Sequence, residues 1–83
     1  MVRFTGHALD QMMIRGISRE EVLQVLDHPE ETVITRAGRL ASYALSGERY
    51  IVVIHEKEDD ENVVITSMRV DKRRLRSFGF TEV

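Results

Sequence analysis

The sequence has no cysteine and no tryptophan, a single proline, and only two tyrosines and three phenylalanines. Without cysteine there can be no disulfide, no thiolate nucleophile and no cysteine-based zinc site. That composition suits a reducing compartment, so a cytoplasmic location is expected. No stretch approaches the roughly 18 consecutive apolar residues needed to span a membrane. The first residues also lack the charged-then-apolar pattern of a secretory signal, so no membrane association is expected. There is no large excess of either charge. The formal net charge is −2, which leaves out a global basic field for nucleic acid. Repeats, low-complexity tracts and linkers are missing too, so residues 1–83 read as one domain with one modest core.

What is there divides into two periods. Thr5 can cap a helix from about Gly6 to Arg15, along which Ala8, Leu9, Met12 and Met13 recur at helical spacing. Gly16 suits the left-handed position that ends it. Ser18, followed by Glu21, forms a capping box for a second helix. This helix turns Val22, Leu23, Val25 and Leu26 inward and ends near Asp27, ahead of His28-Pro29. From Glu31 onward the pattern becomes β-branched. Strands are expected at Glu31–Thr35, Leu40–Ser46, Arg49–Glu56 and Asn62–Val70. The Gly47-Glu48 hairpin sets one register, with Ser46 opposite Arg49, Tyr43 opposite Val52 and Leu40 opposite His55. A turn centred on Asp59-Asp60 would place Val53 opposite Thr66 and Ile51 opposite Met68. That register puts Ser42, Val53 and His55 on one sheet face, and Tyr43, Tyr50 and Arg69 on the other. Asp71 can cap a short helical turn over Lys72–Ser77. The expected class is α+β, with two N-terminal helices packed on an antiparallel sheet of three to four strands and a short C-terminal helical turn. Both sheet faces are largely apolar and the helices can cover only one. The other needs the tail, a second copy of the chain, or a ligand.

Several polar residues could carry chemistry. His7, Gln11 and Arg15 recur every four residues, so they line one slanting stripe beside Ala8 and Met12. An imidazole and a guanidinium on such a stripe can act as acid or base and as a phosphate clamp. Arg69 beside Tyr43 or Tyr50 can hold phosphate and stack on bases. Lys72, Arg73, Arg74 and Arg76 form the densest cationic cluster, and they suit a polyanion. Arg36 and Arg39 flank a tight turn. His55 sits in an otherwise apolar strand, where solvent or backbone would satisfy it. The three histidines do not form a metal-ligand pattern, and the scattered glycines do not form a phosphate-cradling loop. No metal and no cofactor is expected.

The segment from Phe4 to Ile17, with its Thr5-Gly6-His7-Ala8 opening and its Arg15-Gly16-Ile17 close, continues into Ser18–Val22 and the His28-Pro29 step. It resembles the opening of a small bacterial and archaeal family known as domain of unknown function 4258. His7 and Arg15 match the family pattern, whereas Gln11 stands where the family usually carries arginine. The resemblance implies a ribonuclease-toxin-like domain, with helices before an antiparallel sheet. On that footing the first functional expectation is metal-independent RNA cleavage: His7 as acid or base, Arg15 and Arg69 on the phosphate, and Tyr43 as a stacking or acid group. The alternatives are a non-catalytic module that binds a small protein partner or its own copy as a homodimer, and a nucleic-acid binder that uses Lys72, Arg73, Arg74 and Arg76 without cleavage.

Overall fold

A computed structural model describes residues 1–83. The elements run β1 (Val2–Phe4), α1 (Gly6–Arg15), α2 (Arg19–Asp27), β2 (Glu31–Ile34), β3 (Leu40–Ser46), β4 (Arg49–Glu58), β5 (Glu61–Val70) and α3 (Lys72–Leu75), followed by a 3-10 turn at Arg76–Phe78. No helix is long and apolar enough to cross a membrane.

The local signals act as their chemistry dictates. The Thr5 side chain accepts from Ala8 N–H, and Gly16 closes α1 in the left-handed region at φ 66°. There a side chain would crowd the following carbonyl, so glycine is favoured. Ser18 and Glu21 form the reciprocal capping box at the start of α2. Asp71 caps α3 by accepting from Arg74 N–H (2.9 Å).

The α+β class stands, but the sheet is larger and mixed. It has five strands in the order β1-β5-β4-β3-β2. The additional strand is β1, which precedes α1 and pairs in parallel with β5 through Val2–Asn62, Arg3–Val63 and Phe4–Val64. Three residues show no period, and this strand exists only because β5 offers an edge about 60 positions away. The β3–β4 register follows the Gly47 hairpin as expected, with Ser46 opposite Arg49, Tyr43 opposite Val52 and Leu40 opposite His55.

The β4–β5 register departs from expectation part-way along. Near the Asp59-Asp60 turn it runs as expected, from Glu58–Glu61 to His55–Val64. A bulge then inserts Ile65, so Ile54 pairs with Thr66, Val53 with Ser67 and Ile51 with Arg69. Because side chains alternate between faces, one inserted residue reverses the facing of the rest of the strand. Arg69 therefore lies on the helix face, and Thr66 and Met68 lie on the opposite one.

Each face has its own core. Under the helices, Ala8, Met12, Ile17, Val22 and Val25 pack on Ile51, Val53 and Val64. On the other face Ala41, Tyr43, Val52 and Val70 pack against Leu75 and Phe80, with Phe78 and Val83 at the margin. The tail thus covers the second face. Phe80 meets Tyr43 edge-on at a ring separation of 4.5 Å. The Glu31 carboxylate anchors the end of the tail by accepting from Thr81 N–H and Thr81 Oγ1 (2.9 and 2.8 Å) and from Glu82 N–H (2.9 Å).

Candidate functional site

Arg15, the last residue of α1, reaches over the part of β5 that β1 leaves unpaired. Its Nη1 donates to Ser67 O at 2.6 Å. Arg69 projects from β5 on the same face because of the Ile65 bulge. Its guanidinium forks onto Glu21, with Nη1 to Oε2 at 3.1 Å and Nη2 to Oε1 at 3.2 Å, and Nη2 also donates to the Gly16 carbonyl that α1 leaves open (2.9 Å). One side chain therefore ties β5 to the end of α1 and the start of α2. Ser46 Oγ adds β3 by donating to Glu21 Oε2 (2.8 Å). These bonds, those from Arg69 first and Ser18 N–H second, lower the Glu21 carboxyl from 4.5 to about 2 against a smaller opposing effect of burial.

Beside this clasp is a shallow concavity of about 400 Å³, lined by Arg15, Arg49, Met68, Arg69, Val70 and Arg74. A second hollow of about 270 Å³ shares Arg49, Arg69, Val70 and Arg74 and adds Asp71. Four guanidiniums from α1, β4, β5 and α3 thus meet on one surface. The chain has four ion pairs, and only Arg69 of these arginines takes part in one. Arg15, Arg49 and Arg74 face solvent with donors to spare. The negative net charge conceals this segregation of cations.

The structure brings together only some of the residues singled out in the sequence. Arg15, Arg69 and Arg74 share the arginine surface. Lys72, Arg73 and Arg76 are exposed on and just after α3, and none of the three lines the concavity. His7 is exposed at the start of α1, and eight residues at 1.5 Å each put it about 12 Å along the axis from Arg15. Tyr43 belongs to the tail-side core and is buried. Burial pushes its phenol up, with a smaller contribution in the same direction from Glu30. The pairing of Arg69 with Tyr43 on one face is therefore corrected: the sheet separates them, owing to Ile65. Arg39 pairs with Glu56 at 2.9 Å. Arg36 borders a separate hollow of about 570 Å³ between the β2–β3 turn and Phe78.

Sequence reasoning missed Arg49, which follows the hairpin and carries no periodic signal. It also missed a row of side chains on the helix face: Thr32, Ser42, His55 and Asn62, one from each of β2 to β5. Thr32 Oγ1 lies 2.7 Å from Ser42 Oγ, Ser42 Oγ 2.8 Å from His55 Nε2, and His55 Nδ1 3.0 Å from Asn62 Oδ1. The hairpin register did place Ser42 and His55 on one face, a signal that could have found half the row. No group of three or more histidine, aspartate or glutamate side chains is arranged to hold a metal ion.

The family model for a domain of unknown function (DUF4258) matches residues 4–69. The chain belongs to that family. No curated protein and no solved structure matches the chain. The DUF4258 match covers α1, α2, strands β2 to β5 as far as Arg69 and the Glu21–Arg69 clasp; it takes in only Phe4 of β1 and stops before α3 and the tail that closes the second face. Arg15, Arg49 and Arg69 lie inside the matched region, and Arg74 lies beyond it.

Proposed function

We propose that this DUF4258 domain binds RNA through its phosphate backbone on the surface lined by Arg15, Arg49, Arg69 and Arg74. The observation that carries the reading is the convergence of four guanidiniums from four elements on one concavity, three of them without an ion pair. A guanidinium presents a planar fork of donors that matches two phosphate oxygens and keeps its charge at any physiological pH. Arg69 is held by Glu21 and Gly16, so it serves as a fixed cation rather than a mobile clamp. Met68 and Val70 supply apolar contact between the cations, suited to the ribose that separates successive phosphates. Lys72, Arg73 and Arg76 extend the positive field along the exposed side of α3.

Binding without cleavage is the reading preferred here. Metal-independent cleavage needs a base within about 3 Å of the 2′-hydroxyl. The groups that line the concavity are arginines, two apolar residues and Asp71, which caps α3. The test is fluorescence anisotropy with a labelled single-stranded RNA across a salt series, with a matching DNA in parallel and the RNA run on a gel afterwards. We expect affinity to fall steeply with salt, the slope to drop by about one for each of Arg49→Ala and Arg74→Ala, and the RNA to stay intact. Binding indifferent to both substitutions would refute the site. Cleavage that His7→Ala abolishes would favour the ribonuclease instead.

A further inference from the structure

Apart from the arginine surface, the longest unbroken series of side-chain hydrogen bonds is the row Thr32–Ser42–His55–Asn62. Ser42 and His55 are 1% and 4% exposed, whereas Thr32 opens onto solvent at the outer strand of the sheet. The row has a sense of direction. The Asn62 carbonyl oxygen can only accept, so His55 Nδ1 must donate to it. His55 Nε2 then carries the lone pair and accepts from the Ser42 hydroxyl, which in turn accepts from the Thr32 hydroxyl. The Thr32 proton points inward, and its lone pairs face solvent.

We infer that this row is a reversible hydroxyl relay, in which protonation of buried His55 turns over the Ser42 and Thr32 hydroxyls and so changes Thr32 at the surface from a hydrogen-bond acceptor into a donor. Both states satisfy every member. When His55 gains a proton on Nε2, that N–H donates to Ser42 Oγ. Ser42 then donates to Thr32 Oγ1, and the Thr32 hydrogen turns to water. No backbone movement is needed, because each step is a rotation about a single C–O bond, and Nδ1–H keeps its bond to Asn62 throughout. Apolar neighbours of equal size would fill the space but could not pass on the change. The sheet thereby reports the charge of an interior imidazole on the outer strand β2.

The groups acting on the ring come from all four strands. Ser42 on β3 and Asn62 on β5 touch it, Thr32 on β2 touches it through Ser42, and Lys57 on β4 repels its charged form. None of the chain's four ion pairs involves His55, so no carboxylate from the helices holds the cationic state in place. Burial moves the imidazole below its ordinary value of 6.5, the Asn62 bond opposes that shift and Lys57 adds to it. The neutral, inward-pointing state is therefore the resting one at neutral pH.

The experiment is nitrogen-15 NMR of histidine-labelled protein through a pH titration, on the wild type, Thr32→Val and Thr32→Ser. Neutral His55 is expected to carry its hydrogen on Nδ1, the less common tautomer of free imidazole. Valine keeps the shape of threonine on an outer strand; in the neutral state Ser42 loses only the Thr32 donor and still donates to His55 Nε2, whereas in the protonated state the reversed Ser42 hydroxyl is left buried without an acceptor, so the substitution penalises the protonated state more. Thr32→Val should therefore lower the His55 titration midpoint by at least about half a pH unit, and Thr32→Ser should restore the wild-type value. A neutral His55 with its hydrogen on Nε2, or a midpoint unmoved by Thr32→Val, overturns the relay.

Discussion

Replacing Glu21 with glutamine should cost this protein about 2 kcal/mol near neutral pH and almost nothing in strong acid. Five hydrogen bonds converge on that carboxylate, from Arg69 Nη1 and Nη2, Ser46 Oγ, Ser18 N–H and Ser18 Oγ, at 2.8 to 3.3 Å. A fall from 4.5 to about 2 corresponds to roughly 3 kcal/mol of preference for the charged form in the folded chain. About a quarter of each partner's side chain remains exposed, so solvent screening reduces this to about 2 kcal/mol. The folded-state value is the depressed one. The stabilisation is therefore complete above 4.5 and is lost as pH falls through about 2. For a domain of this size the loss should lower the thermal midpoint by roughly 8–16 °C at neutral pH. The assay is urea unfolding of the wild type and Glu21→Gln at a series of pH values. The two curves should differ near pH 7, approach each other below about 4.5, and merge near 2. A gap of constant size would mean that glutamine disturbs packing rather than charge. No gap at neutral pH would mean that the clasp contributes nothing to folding. Either result refutes the reasoning.

Other consequences can be checked independently. His55→Gln should remove a loss of stability that the wild type shows as pH falls below 6.5, since a group with a depressed folded-state value binds its proton more readily when unfolded; unfolding at pH 5 and 7.5 measures it. Phe80→Ala should cost about 3 kcal/mol or more by opening the tail-side core, detectable as a lower urea midpoint. Gly16→Ala forces a side chain into φ 66° and should cost about 1–2 kcal/mol in the same assay. Arg49→Ala, at an exposed site without an ion pair, should leave stability within about 0.5 kcal/mol, so that its effect on RNA binding cannot be ascribed to unfolding.

How far the fold could be read from the sequence depended on how local each signal was. Thr5, Gly16, the Ser18–Glu21 box, Pro29 and the Gly47 hairpin act within a few residues, and each fell where expected. Strand β1 was illegible because three residues carry no period and their partner is remote in sequence. The bulge was hidden for another reason: Val63, Val64, Ile65 and Thr66 are all β-branched, so nothing in their order marks which residue is the extra one. That single ambiguity decided which residues could act together. Arg15 and Arg69 each stand out in the sequence, but an uninterrupted register puts Arg69 on Tyr43's face rather than on the arginine surface. Asn62 falls on His55's face in the expected register as well, but a polar residue beside a charged turn carries no signal that its side chain reaches an interior imidazole. Arg49 lies in a turn-flanking position where exposed arginine is common, and only the fold places it beside Arg74.

The Ile65 bulge also bears on how the chain avoids misfolding. The hairpin that closes at Asp59-Asp60 could zip onward with no interruption, which would be the simpler local event. In that slipped arrangement Arg69 would enter the tail-side face among Tyr43, Leu75 and Phe80, and Glu21 would lose its cation. The error would cost most only when both the helices and the tail docked, because each of those segments inspects a different face of β5. The two cores together therefore proofread one strand's alignment, and a chain lacking either cover would have less means of telling the correct pairing from the slipped one.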